Sequence, residues 1–294
     1  MIPPYLTDGD KVAIVSPSGN IDPNYLSGIA NVLQSWGLQP LIAPNAGNVQ
    51  GRFAGTRQER LADLQWALDT REIKAVFCSR GGYGLVQIID NVDFEHFELY
   101  PKWVVGFSDI TILHSAITAH DIASLHGAMA KDICENAEIA DLERQFLFGQ
   151  LHQHTIDAHP LNRIGAAKGK ITGGNLSVFC GLRGTYLDND LTGKILFIED
   201  VGEKPYQIDR YLHNLKIGGI FEEIAALIVG QFTEYEEDET MNASLHQIIR
   251  DVVEEYDFPV VFNFPAGHVP YNLLLPFGVP ATLNVEAEKI SLKF

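Results

Sequence analysis

The chain has 294 residues, room for one large domain or two ordinary ones. Hydrophobic residues make up 46% and charged residues 20%, a balance that excludes a disordered chain. Twenty-one Lys and Arg against 38 Asp and Glu give a formal net charge of −17, a surface that repels phosphate backbones and anionic lipid, so neither nucleic acid nor membrane is an expected partner. Residues 11–16 are a short apolar run closed by Pro17-Ser18-Gly19, a strand and its turn. Residues 24–36 carry helical spacing at Leu26, Ile29, Val32 and Leu33, with Gly37 as the stop. A second strand follows over 38–43. Thr56 and Glu59 form a capping box that opens a helix to about residue 69, with Leu61, Leu64 and Leu68 on one face. Strands over 75–78 and 103–105 and a helix over 109–120 complete this half. Apolar strands alternating with helices make a parallel sheet covered on both faces, and in such sheets sites form beyond the carboxyl ends of the strands. Three loops lie at those ends: 16–19, 79–84 and 106–109.

The second half is less regular. Residues 137–168 hold His152, His154 and His159 with little periodicity, and read as a connection between domains. A strand over 193–198 ends in Glu199 and Asp200. A helix over 206–215, a strand over 224–229 and a helix over 245–256 follow. Residues 281–285 and 290–293 form a hairpin. The expected organisation is an N-terminal α/β domain over 1–150, a linker over 151–167 and a more β-rich domain over 168–294. No run approaches the ~18 apolar residues of a membrane-spanning helix. The opening Met1-Ile2-Pro3-Pro4 is not a secretory leader. Cys78, Cys134 and Cys180 are too few and too scattered for a disulfide framework or a zinc motif. The expected compartment is the cytoplasm.

Gly106-Phe107-Ser108-Asp109 lies between an apolar strand and a helix. A serine on such a turn projects its hydroxyl above the sheet, with the amides of the next helical turn aimed at whatever it attacks. The run is similar to a nucleophile elbow, with Ile110 in place of the last glycine; the other reading is that Ser108 only caps the helix. A serine nucleophile needs a base, and the base an orienting acid. Ten histidines are available. His114 and His120 lie on the helix after Ser108, His126 follows the next apolar run, and His268 sits in a loop stiffened by Pro265 and Pro270. For the acid, Glu199 ends an apolar strand where a carboxylate has no packing role, and Asp200 competes with it. The loop Ser79-Arg80-Gly81-Gly82-Tyr83-Gly84 follows a strand. Its glycines suit close approach of backbone amides to a phosphate or to an oxyanion. It lacks the spacing of a dinucleotide fingerprint. His152, His154 and His159 lack the spacing of a metal motif, so no metal is expected.

Taken in order, six stretches resemble the LD-carboxypeptidases, a serine peptidase family that includes muramoyltetrapeptide carboxypeptidases and microcin C self-immunity proteins. They are the runs 12–19, 80–84 and 106–109, Gly173-Gly174-Asn175-Leu176, 195–200 with Asp209-Arg210, and 264–268. The resemblance implies a triad of Ser108, Glu199 and His268, and an oxyanion hole from the amides of Gly82 and Asp109. It implies a flavodoxin-like parallel-sheet domain carrying the serine, followed by a smaller C-terminal β-rich domain carrying the other two. The implied reaction is hydrolysis of an L,D amide bond that releases terminal D-alanine from a cytoplasmic murein tetrapeptide, without cofactor, in a homodimer. Arg80 is the candidate reader of the peptide's terminal carboxylate, its other reading being a structural ion pair. Two alternatives stand beside this: a self-immunity hydrolase of peptidyl or aminoacyl nucleotides, and a catalytically silent ligand-binding protein on the same scaffold.

Overall fold

A computed structural model describes all 294 residues. In chain order its strands are β1 (Lys11–Val15), β2 (Gln39–Ile42), β3 (Ile73–Cys78), β4 (Trp103–Gly106), β5 (Ser124–His126), β6 (Gln153–Asp157), β7 (Gly165–Asn175), β8 (Ile195–Val201), β9 (Ala226–Thr233), β10 (Val260–Val261), β11 (Leu275–Phe277), β12 (Pro280–Val285) and β13 (Lys289–Lys293).

The first compact unit is Met1–Leu151 with Pro270–Gly278. Its parallel strands run β2-β1-β3-β4-β5, and β11 lies antiparallel on β5. This is the flavodoxin-like order, with its switch point between β1 and β3. Strands β1, β3 and β4 are buried apart from Lys11 and Lys74, as expected of a sheet covered on both faces. The helix Arg57–Asp69 opens with the expected box: Thr56 Oγ1 accepts from the Glu59 N–H at 3.2 Å, and Glu59 Oε2 from the Thr56 N–H at 2.7 Å. Its buried face carries Arg60, Asp63, Leu64, Ala67 and Leu68, so Leu61 is not part of it.

The second unit is His152–Val269 with Val279–Phe294. Strands β7, β8, β9 and β10 are parallel neighbours in chain order. The helices Leu176–Gly181, Pro205–Ile217, Ile220–Glu223 and Leu245–Val252 share one core with Leu196, Ile198, Leu227 and Val229, which places all four on one face of that sheet. The first half of β7 pairs antiparallel with β12, β12 with β13, and β13 with β6. The unit therefore joins a parallel layer to an antiparallel one.

Residues 137–168, read from sequence as a connection, contain the helix Ala137–Leu147 and strand β6. Pairing with β13 ties β6 to the second unit, and pairing with β5 ties β11 to the first. The chain thus crosses between the units more than once, which a hydropathy pattern does not reveal because register depends on partners far away in sequence.

The end of β4 is fixed by a buried histidine. His114, on the helix Thr111–Ala119, is 1% exposed. Its Nε2 bonds the Gly106 carbonyl at 2.7 Å and its Nδ1 bonds Ser124 Oγ at 2.8 Å. Because a carbonyl only accepts, Nε2 carries the proton and Nδ1 accepts from the hydroxyl. Burial pushes this imidazole down to about 4, against the weaker opposing effect of the Gly106 bond. The unfolded chain takes up this proton near the ordinary value of 6.5, so between 6.5 and 4 the unfolded state holds more protons than the folded one. Stability contributed by neutral His114 is present above 6.5 and is lost as pH falls toward 4, by roughly 3 kcal/mol over the interval. The stability difference between wild type and His114→Gln should shrink by about that amount in urea titrations taken above and below this window. A difference independent of pH would show that the ring is protonated inside the fold.

Candidate active site

Ser108 has a φ of 66°, in the left-handed region. For a non-glycine residue this costs about 1–2 kcal/mol. A helix cap lies instead in the extended region, so the backbone of Ser108 is not that of a cap. The strand ends at Gly106, the turn Ser108–Ile110 follows, and the helix Thr111–Ala119 begins directly after it. Gly81 lies against the serine: a Cβ there would come within 2.8 Å of Ser108 Cβ and 3.0 Å of its Oγ. Only glycine fits beside this side chain without moving it.

The residue after the serine ties the two loops together. Asp109 is 3% exposed, and its Oδ2 accepts from Ser18 Oγ at 2.6 Å and from the Leu85 N–H at 2.9 Å. Burial raises its pKa, opposed by the bonds from Ser18, Leu85 and Gly84 and by the charge of Arg60. Arg60, equally buried, donates to the carbonyls of Pro17 at 3.0 Å and Gly84 at 2.8 Å, and to Gln87 Oε1 at 2.9 Å. Gly84 is therefore gripped at its N–H by a carboxylate and at its carbonyl by a guanidinium. The Gly19 N–H donates to the Gly81 carbonyl at 2.9 Å, and Ser16 and Ser79 share a hydroxyl bond of 2.6 Å. The loops following β1, β3 and β4 are thus one hydrogen-bonded body. The N–H groups of Gly82 and Asp109 donate to no backbone carbonyl of these loops, and Gly82 has a φ of 93°.

In the second unit, Glu199 Oε2 lies 2.8 Å from His268 Nδ1. Glu199 is fully buried, whereas the His268 side chain is 21% exposed. The carboxylate only accepts, which puts the proton on Nδ1 and leaves Nε2 as the basic nitrogen. Gly267, at φ 123°, makes room for the pair: a Cβ there would meet Glu199 Oε2 at 2.8 Å. The loop is held by β9, whose Val229 carbonyl accepts from the Phe264 N–H at 3.0 Å and whose Gln231 N–H donates to the Ala266 carbonyl at 2.9 Å. The register of β8 on β9 shifts between Ile198 and Asp200, at Glu199 itself. Irregularities of this kind re-aim side chains. Asp200 points to the other face of the sheet. Its Oδ1 accepts from Asn175 Nδ2 and its Oδ2 from the Ser177 N–H, both at 2.8 Å, at the start of the helix Leu176–Gly181. Glu199 and Asp200 therefore have distinct partners: a histidine for one, a helix N-terminus for the other.

Arg80 is exposed and makes no ion pair; its Nη1 donates to the Asn20 carbonyl at 2.7 Å. His126 is fully buried between the rings of Phe107 and Phe277, and His120 bonds Glu98 at the surface. His154 packs on Phe264 and Phe294, and His159 stacks on His246, so the histidines of the sequence cluster have separate surroundings. No group of three or more His, Cys, Asp or Glu side chains is placed to hold a metal ion. Sequence reasoning missed Arg60 and the side-chain role of Asp109. An arginine at helical spacing with Leu64, Ala67 and Leu68 was the available signal for the first.

A serine on a left-handed strand-to-helix turn has the backbone geometry of a nucleophile elbow, and comparison with known proteins gives the class, a peptidase family. Residues 12–127 match the LD-carboxypeptidase N-terminal domain and residues 168–283 the LD-carboxypeptidase C-terminal domain. The chain is 34% identical to a probable murein peptide carboxypeptidase of Bacillus subtilis, over 99% of this chain and 93% of that one. It is 30% identical to the murein tetrapeptide carboxypeptidase of Pseudomonas aeruginosa, over 93% of each. The crystal structure of muramoyltetrapeptide carboxypeptidase from Oxalobacter formigenes superposes with a TM-score of 0.87 at 28% identity, covering 96% of this chain and 97% of that one. The microcin C7 self-immunity protein shares the fold, with a TM-score of 0.88 at 20% identity over 100% of this chain and 98% of the other. The chain belongs to the LD-carboxypeptidase family.

Two substitutions probe the turn. Ser108→Gly should raise the unfolding free energy by about 1 kcal/mol, because glycine adopts the left-handed region without strain. Asp109→Asn should lower it by about 2 kcal/mol, since it leaves the buried guanidinium of Arg60 uncompensated. Urea denaturation measures both; a destabilised Ser108→Gly would mean that the turn carries no strain.

Proposed function

We propose that the chain is a serine-type LD-carboxypeptidase that releases terminal D-alanine from murein tetrapeptides. Ser108 is the nucleophile, His268 the general base and Glu199 the residue that orients it. The observation that carries this reading is Ser108 itself, held in the left-handed region against Gly81 at a strand-to-helix turn. The 2.8 Å bond from Glu199 to His268 Nδ1 supports the second and third assignments. The names of the murein peptide carboxypeptidase relatives support the substrate class.

In this mechanism His268 Nε2 takes the Ser108 proton as Oγ attacks the carbonyl carbon of the bond to D-alanine. The carbonyl oxygen becomes an oxyanion, stabilised by the amides of Gly82 and Asp109. When the C–N bond breaks, His268 returns its proton to the departing amine and D-alanine leaves. Water, deprotonated by His268, then attacks the ester, and the proton returns to Ser108 as the shortened peptide is released. Glu199 keeps the imidazole in the required tautomer and stabilises the imidazolium in both halves. The same reading makes the protein a cytoplasmic homodimer working on recycled wall peptides, which fractionation and sedimentation can check.

The test is incubation with a murein tetrapeptide beside a peptidyl adenylate, scoring free D-alanine released from the first and nucleotide released from the second. The tetrapeptide should be cleaved. Ser108→Ala should lower turnover by at least about 10^3-fold and Glu199→Gln by on the order of 10^3-fold to 10^4-fold. Cleavage of the adenylate alone would replace the substrate assignment with the self-immunity reaction. Undiminished turnover by Ser108→Ala would remove the nucleophile assignment.

A further inference from the structure

A cavity of about 350 Å³ opens within the first unit beyond the carboxyl ends of β1, β3, β4 and β5. Its volume lies at the small end of the range for ligand sites. Phe107 and Arg80 form part of its wall. The first immediately precedes Ser108, and the second immediately precedes Gly81, the glycine that abuts the Ser108 side chain. Consecutive Cα atoms are about 3.8 Å apart, so both wall residues lie within one residue of Ser108 and its glycine neighbour. In a peptide cut at its last bond, the terminal carboxylate carbon is three bonds from the attacked carbonyl carbon. Whatever reads that carboxylate must lie at such a distance from the nucleophile.

Four charged side chains line the cavity: Arg80, Lys131, Asp22 and Asp132. The two acids are already engaged at helix starts. Asp22 Oδ1 accepts from the Asn24 N–H at 2.9 Å, and Asp132 Oδ2 from the Met129 N–H at 3.1 Å. The two cations have no such ionic commitment. Arg80 donates only to a neutral carbonyl, and no salt bridge engages Lys131. A planar guanidinium fork beside an ammonium suits a carboxylate, which the fork takes in two parallel bonds while the ammonium adds a point charge. The remaining wall is Ile21, Phe107 and Met129 with Tyr25 and Ser79, whose hydroxyls are bonded to Glu135 and Ser16, and its apolar part matches a small aliphatic side chain.

We propose that this cavity is the subsite of the departing residue, and that Arg80 and Lys131 together clamp its free carboxylate. The clamp explains why such an enzyme would act as an exopeptidase: a peptide extended beyond that residue, or amidated there, presents no anion to the two cations. The inference rests on the carboxypeptidase reading of the same site and assigns Lys131 a role that its sequence context does not announce.

The experiment compares one murein tetrapeptide ending in D-alanine with the same peptide ending in D-alaninamide. Wild type, Arg80→Met, Lys131→Met and Lys131→Arg are assayed on both. Wild type should prefer the free acid by at least about 100-fold in kcat/KM, the effect expected of two charge-assisted contacts. Arg80→Met and Lys131→Met should each lower kcat/KM on the acid by about 10- to 100-fold, chiefly through KM, and lower that on the amide far less, so that the acid-over-amide preference falls. Lys131→Arg should restore most of the preference. An acid-over-amide preference that survives in both methionine variants overturns the clamp while leaving the carboxypeptidase reading intact. Failure of wild type to cleave either peptide overturns that reading and the subsite with it.

Discussion

A serine in the left-handed region of backbone space is held there only when its surroundings over-determine it. Around Ser108 they do. Before it, the carbonyl of Gly106 is bound by a neutral, buried His114. After it, the carboxylate of Asp109 is bound by Ser18 and by the glycine loop at Leu85. Beside it, Gly81 leaves no space for a larger residue. Arg60 closes the arrangement by holding both Pro17 and Gly84 from the opposite side. Ties of this kind make the strain of one residue a property of three loops. A change at any of them alters the serine without touching it.

The second unit solves a related problem with strand geometry. Successive residues of a strand face opposite sides of the sheet. Glu199 and Asp200 are adjacent, both buried and both carboxylates, yet they have different tasks because of this alternation. Asp200 faces the helices and caps one of them. Glu199 faces away from them and meets His268. The register shift at that point, together with the loop pinned to the end of β9, sets where the imidazole stands. A buried carboxylate needs a hydrogen-bond partner, and the His268 Nδ1 proton supplies one at 2.8 Å.

How far the amino-acid sequence announces all this depends on how local each feature is. The strand–turn–helix around Ser108 and the glycine loop are local, and their chemistry can be read from a dozen residues. So can the capping box at Thr56 and Glu59. The competition between Glu199 and Asp200 is not decided locally, since both end the same apolar run. It is decided by Asn175 and Ser177 on one side of the sheet and by His268 on the other. Residues 151–167 look irregular because strand β6 finds its partner, β13, more than a hundred residues later. Arg60 occupies a buried helical face with Asp63, Leu64, Ala67 and Leu68, and the carbonyls that justify its burial come from loops on two other strands. In each case what is missing from the sequence is the distant hydrogen-bond partner.

The central claim is that Ser108 is a nucleophile made reactive by His268. Covalent labelling tests it most directly. The protein is incubated with an organophosphonate that reacts only with activated serines, and the adduct is located by mass spectrometry of the digested chain. The account predicts one adduct per chain, on Ser108, and its loss when His268 is replaced by Gln. An adduct on another residue, or labelling of Ser108 that persists at the same rate without His268, would contradict it.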